Sequence, residues 1–145
     1  MFVNRPLLNH SEFLAWAKSE GFADTVSSDK LHVTIATSRG TANWEQILPC
    51  ASDLTVRVGG RRSVRDFGGV MVLTFGCRQL SQRHAEFRRL GMSWDFPSYS
   101  PHISFAFDEG VDLAKVRPFL GRLHFGPECF QVDQMYSLGV YPSMG

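Results

Sequence analysis

Two ten-residue stretches of this chain are versions of one pattern: Leu31 to Gly40, LHVTIATSRG, and Pro101 to Gly110, PHISFAFDEG. Aligned without a gap they share His-[Val/Ile]-[Thr/Ser]-[Ile/Phe]-Ala-x-x-x-Gly. This repeat constrains the fold most, because two equivalent segments must find two equivalent environments. Both alternate as strands do, with Leu31, Val33 and Ile35 on one face and Ile103, Phe105 and Phe107 in the same role in the second copy. Residues two apart on a strand project from the same side, so the other faces carry His32 with Thr34 and His102 with Ser104. Strands set side by side would bring two imidazoles and two hydroxyls to one place.

Such a group suits phosphodiester chemistry without a metal. A neutral imidazole removes a proton from an attacking oxygen while a protonated one gives a proton to the leaving oxygen, each contributing roughly 10²- to 10⁴-fold. Hydroxyls donate hydrogen bonds to the non-bridging oxygens, where negative charge concentrates. Imidazole serves both roles because its ordinary pKa of about 6.5 lies near working pH. One His-x-Thr in a strand carries little information, since most strand histidines belong to a surface or a core. Two in matching contexts are what point to catalysis.

The 145 residues read as one domain, 1–145, large enough for a real core. Fifteen basic residues nearly cancel 14 acidic ones, so the total charge shows no footprint for long nucleic acid but remains compatible with a small anionic ligand. Cys50, Cys77 and Cys129 are odd in number and lack the Cys-x-x-Cys spacing of a zinc site, which fits reduced thiols in a cytoplasmic protein. Met1 to Leu8 is too short and polar for a signal segment, and no apolar run approaches a membrane span. Neither a metal nor a cofactor is called for.

Met1 to Leu8 reads as a first strand, with Pro6 at its edge or end. Asn9 or Ser11 can cap a helix that carries Phe13, Leu14, Trp16 and Ala17 inward and stops at Gly21. After the first histidine strand, Thr41 can cap a short helix holding Trp44, Ile47 and Leu48. Leu54, Val56 and Val58 alternate as a half-buried strand, and Val70 to Phe75, VMVLTF, reads as a strand covered on both faces. Arg61, Arg62 and Arg65 between them read as solvated edge charges. Leu80, His84 and Phe87 mark an amphipathic helix ended by Gly91, with His84 a boundary residue of that helix. The loop Trp94 to Pro101, WDFPSYSP, leads into the second histidine, and its Trp94 and Tyr99 could stack nucleobases, an interaction worth roughly 1–3 kcal/mol per base. Asp112 can cap a short helix with Leu113 and Val116, and Arg122 to Phe125 and Cys129 to Val132 read as the last strands. The chain is expected to be α+β, in two rough halves with a cleft between them.

The paired His-x-Thr and His-x-Ser resemble the two-histidine (2H) phosphoesterase superfamily. Within it the chain is most similar to the phage anti-CBASS cyclic-oligonucleotide phosphodiesterases, over nearly its whole length: FVNRPLLN, DKLHVTIATSR, RHAEFRRLGMSWDFPSYSPHISFAFD and VDLAKVRPFLGRLHFGPECF. The resemblance implies a bilobal, pseudo-two-fold fold of antiparallel sheets with outer helices and a central cleft. It implies destruction of cyclic di- and trinucleotide defence messengers, without a metal, by attack of the ribose 2′-OH on the adjacent 3′–5′ phosphodiester. It also implies His32, Thr34, His102 and Ser104 as the catalytic set, with Phe2, Tyr99, Trp94 and Glu128 contacting substrate. Phe2 stands where relatives often have tyrosine, which keeps a stacking ring and loses its hydroxyl. Gln131, Val132 and Tyr136 stand where relatives often carry further acidic residues and then tryptophan.

Other readings stay open at this point: a 2′,3′-cyclic phosphodiesterase or ligase on RNA ends, a protein that sequesters cyclic nucleotides without cutting them, and a structural phage component. The residues do not say which histidine is the base, which cyclic nucleotide is preferred, or what the oligomeric state is.

Overall fold

A computed structural model describes residues 1–38 and 46–131. They form an α+β structure of two α-helices and two antiparallel sheets. The strands are β1 (Phe2–Pro6), β2 (His32–Thr37), β3 (Leu54–Val56), β4 (Arg62–Phe67), β5 (Val70–Phe75), β6 (His102–Phe107), β7 (Leu123–Phe125) and β8 (Cys129–Gln131). Helix α1 (His10–Ser19) lies between β1 and β2 in sequence, and α2 (Arg78–Arg89) between β5 and β6. The main sheet runs β4-β5-β6-β2-β1-β8, and β3 pairs with β7 apart from it. Thus β1-α1-β2 and β5-α2-β6 are each a strand, a helix and an antiparallel neighbouring strand, and the two histidine strands meet at the centre.

The likeness of the two units extends to detail. Each helix ends on a glycine at positive φ, Gly21 at 99° and Gly91 at 97°, a conformation that side chains with a Cβ resist. In α1 the N–H of Gly21 reaches Lys18 O and that of Phe22 reaches Ala17 O; in α2 Gly91 reaches Arg88 O and Met92 reaches Phe87 O. These paired bonds satisfy the last carbonyls of each helix, and the residues after the glycines, Phe22 and Met92, are buried as apolar plugs. Each histidine strand also carries an irregularity at the same motif position. Pairing steps from Val3–Ala36 to Asn4–Thr34 past Ile35, and from Met71–Ala106 to Val72–Ser104 past Phe105. Such bulges bend a strand and re-aim its side chains, and they concentrate next to functional sites.

Behind the sheet lies one core. Val33, Ile35, Ile103 and Phe105 are fully buried with Phe13 and Ala17 of α1 and Leu80 and Phe87 of α2. Phe105 is its hub, with the rings of Phe13, Trp16 and Phe22 at 5.0–5.5 Å. Burying such a side chain contributes about 1.5–3 kcal/mol.

Several sequence expectations need correction. Phe107, assigned to the core face, is 45% exposed at the end of β6, and Leu48, assigned inward, is 80% exposed. Val58 lies beyond β3 and is exposed, because Gly59 and Gly60 turn the chain there. Asn9 occupies the N-cap of α1 but its side chain does not cap; it donates to Arg122 O and accepts from His124 N, tying the helix start to β7. Pro6 ends β1, which is an inner strand between β2 and β8. Strand β4 has no counterpart among the expected elements, since RSVRDF is mostly polar and only partly buried. Thr41 and Trp44 of the expected short helix, the closing Gly40, and Val132 and Tyr136 lie outside the described residues.

Candidate active site

β2 and β6 meet at the pair Val33–Ile103. In an antiparallel pair the residues flanking such a contact lie alongside one another on the opposite face, His32 beside Ser104 and Thr34 beside His102. The repeat therefore assembles its four polar side chains into one group because the two copies run in opposite directions through neighbouring strands.

Each imidazole is held the same way. His32 Nδ1 lies 2.7 Å from Lys30 O and His102 Nδ1 lies 2.9 Å from Ser100 O, the carbonyl two residues upstream in both cases. A carbonyl only accepts, so Nδ1 carries the proton and Nε2 bears the lone pair of the neutral ring. Each ring also meets the edge or face of a phenylalanine: Phe2 at 5.5 Å from His32 and Phe67 at 5.2 Å from His102, both near perpendicular. These contacts fix the ring planes. Burial pushes the His32 imidazole below its ordinary value; its bond to Lys30 opposes that, and the nearby His102 lowers it further. His32 is thus neutral at neutral pH, as a proton acceptor must be.

The hydroxyls differ. Thr34 is buried, and its Oγ1 has no hydrogen-bond partner among the described residues. An unpartnered buried hydroxyl costs about 1–3 kcal/mol, a cost that a ligand oxygen would relieve. Ser104 is only partly buried.

Beside His102 opens a cleft of about 420 Å³ walled by Phe67, Gly68, Trp94, Phe96, Ser98 and Ser100. Its rings and scale suit a nucleobase. Trp94 is where stacking was expected. Phe67 was missed, although Gly68-Gly69 between two alternating runs is a two-residue hairpin signal that sets Phe67 opposite Val70. Phe96, in the same loop as Trp94, lines the cleft at 39% exposure.

Tyr99, expected to contact substrate, packs within the protein. Its ring lies flat on His84 at 4.3 Å, and its hydroxyl donates to Thr34 O at 2.7 Å. Burial drives its hydroxyl far above the ordinary phenol value, so it stays a donor. His84, on α2, bonds Ile35 O through Nδ1 at 2.7 Å and meets Trp94 edge-on at 4.6 Å. Two consecutive carbonyls of the first histidine strand are therefore held by side chains from α2 and from the loop before the second. Glu128, expected to contact substrate, is engaged within the protein: Arg83 grips its carboxylate with two bonds at 2.7 and 2.8 Å, and Cys50 N–H donates to it at 2.9 Å. That carboxylate is 1% exposed, and its partners join α2 to the segment before β8.

Two strand histidines with their motif hydroxyls thus stand side by side on an antiparallel α+β frame, next to an aromatic cleft. Residues 1–135 match the family model of anti-CBASS protein Acb1. The chain is 42% identical over 145 aligned residues to an anti-CBASS protein Acb1 of Caulobacter sp. (strain RHG1), covering 94% of this chain and 23% of that protein. It is 44% identical over 139 residues to one of Sphingomonas paeninsulae, covering 90% and 22%. One from Enterobacteria phage T4 is 31% identical over 87 residues, covering 59% and 55%. The chain belongs to the anti-CBASS protein Acb1 family. It spans less than a quarter of the length of the first two relatives. Among the described residues no helix is long and apolar enough to cross a membrane.

Proposed function

We propose that this chain is a phosphodiesterase of the two-histidine type, with its pseudo-two-fold fold, which cleaves the 3′–5′ linkages of cyclic di- and trinucleotide messengers and so blunts the CBASS defence. The observation that carries this reading is the matched pair of imidazoles, each with Nδ1 tied to a carbonyl and each beside a motif hydroxyl on adjoining strands. A binding module has no need of two rings poised with the same nitrogen for proton transfer.

His32, held neutral, takes the ribose 2′-OH proton at Nε2. The 2′-oxygen attacks the adjacent phosphorus, the bond to the 5′-oxygen breaks, and protonated His102 gives that oxygen its proton. The product is linear and ends in a 2′,3′-cyclic phosphate. Water then attacks the cyclic phosphate, losing its proton to His102, while His32 returns its own to the departing 2′-oxygen, which leaves a 3′-phosphate. Thr34 and Ser104 donate to the non-bridging oxygens as charge builds there. Thr34 Oγ1 is closed over, so its bond forms as neighbouring side chains yield to the entering phosphate. Phe67, Trp94 and Phe96 line the base cleft, and buried Phe2 meets the His32 ring edge to face and holds its plane. Tyr99 acts as a positioning residue behind β2, and Glu128 is left out of the site.

Incubation with 3′,3′- and 2′,3′-linked cyclic di- and trinucleotides in EDTA, followed by chromatography with mass detection, tests the proposal. Linear products ending in 2′,3′-cyclic phosphate or 3′-phosphate are expected, and 2′-deoxy substitution at the scissile linkage should abolish them. Intact ligands that bind tightly would replace the enzyme with a sequestering protein. A requirement for added divalent metal would overturn the mechanism.

A further inference from the structure

Positive charge is unevenly placed along this nearly neutral chain. From residue 57 to 78 there are five arginines, Arg57, Arg61, Arg62, Arg65 and Arg78, against one acidic residue, Asp66. Arg62 is structural: it is partly buried and donates to the carbonyls of Phe119, Gly121 and Arg57 at 2.7–3.0 Å. The other four are exposed, and none pairs with a carboxylate among the described residues. Asp66 holds the β4–β5 turn by accepting from Gly69 N.

These arginines line a trough made of two adjoining grooves. One groove of about 630 Å³ is lined by Arg61, Arg65, Ser63, Thr74 and Ser100 among others. It shares Ser100 with the cleft beside His102. A second groove, also about 630 Å³, shares Arg61, Gly60, Gly76 and Cys77 with the first and adds Arg57 and Arg78. Pairing across the sheet connects them to the histidines. Ser63 opposes Thr74, which opposes His102; Arg65 opposes Val72, which opposes Ser104. Directly opposed residues share a face, so Arg65 lies in the row of Ser104, two strands away, roughly 10 Å at about 4.8 Å per strand. Arg65 Nε donates to Ser63 Oγ at 3.3 Å, and neither groove has a carboxylate among its described lining residues; guanidiniums so placed fit phosphate oxygens, which they engage by charge-assisted bonds.

Resting on the reaction proposed above, we propose that this trough is a subsite for the non-scissile phosphates of a ribonucleotide substrate, with Arg61 and Arg65 as its principal contacts. The scissile phosphate sits between His32 and His102, and the phosphodiester backbone continues past Ser100 over β5 and β4. The subsite selects substrates with more than one phosphate.

The test is calorimetric binding to protein carrying His102→Ala, which blocks turnover, with and without Arg61→Gln/Arg65→Gln. The ligands are a cyclic dinucleotide, a cyclic trinucleotide, a linear ribo-oligonucleotide and a 2′,3′-cyclic mononucleotide with a single phosphate. Loss of the two arginines should weaken the multi-phosphate ligands by about tenfold or more and flatten the salt dependence of their binding. The single-phosphate ligand should lose at least several-fold less. A loss confined to the cyclic ligands makes the ring's own phosphates the occupant; a loss confined to the linear one makes it an RNA strand. Equal weakening of every ligand, or none, overturns the subsite. Parallel turnover assays with both histidines intact separate the two proposals: arginine-dependent binding without product defeats the reaction alone, and arginine-independent cleavage of cyclic dinucleotides defeats the subsite alone.

Discussion

His32 and His102 make the same hydrogen bond at the same ring nitrogen and meet different surroundings. His102 opens onto the aromatic cleft, with Phe67 at its edge and a partly buried Ser104 two residues on. His32 sits where burial disfavours its charge, and its partner Thr34 is sealed with an unanswered hydroxyl. The repeated motif thus presents two like groups, and packing gives them unlike surroundings. In the reaction proposed above, which needs one base and one acid, this difference in surroundings is the reason for giving His32 the role of first base.

The sharpest way to break this comparison is to remove each ring. His32→Ala and His102→Ala should each lower kcat/KM by about 10²- to 10⁴-fold, measured by product chromatography, and the double variant should add little, since the two act as a unit. The hydroxyls should separate next. Thr34→Val should cost about 10²-fold in kcat while raising thermal stability, because an unpartnered buried hydroxyl is replaced by an isosteric methyl. Ser104→Ala should cost less activity and leave stability nearly unchanged; the reverse order would contradict the roles drawn here.

A pH profile tests the inequality itself. The base must be neutral, and its value is lowered, so the acid limb of kcat/KM should lie below pH 6.5. Phe2→Ala should admit water to the ring and move that limb upward, whereas Phe67→Ala should leave it in place. Smallest in effect, Tyr99→Phe removes one bond to Thr34 O and should cost about 1 kcal/mol in denaturant unfolding. His84 is lowered too, by burial foremost. Between pH 6.5 and the lowered values of His32 and His84 the unfolded chain takes up protons that the folded one refuses, so stability should fall as the solution is acidified through that window.

The histidine strands and both helices were legible because their apolar residues keep the period of one face, and Gly21 and Gly91 mark the helix ends. The four polar side chains followed from alternation alone. Strand β4 was not legible, since RSVRDF is mostly polar and its partial burial comes from pairing with β5, a relation between residues rather than a pattern within them. The same reason hid the Arg83–Glu128 pair and the Tyr99–His84 stack, whose members lie far apart in sequence. Net charge concealed the arginine trough, because cancellation over 145 residues says nothing about where each sign resides.

Strand β1 pairs with β2 on one side and with β8 on the other, Phe2 standing opposite both Thr37 and Gln131. The first strand described is therefore completed by the last one described. During synthesis β1 can dock on β2 early, but its second edge stays open until residues 129–131 have left the ribosome. Long-range closure of this kind slows folding and leaves a strand edge free to pair with other chains meanwhile. The Phe2 ring that meets His32 rides on that strand, so the surroundings of His32 are complete only once residues 129–131 are in place.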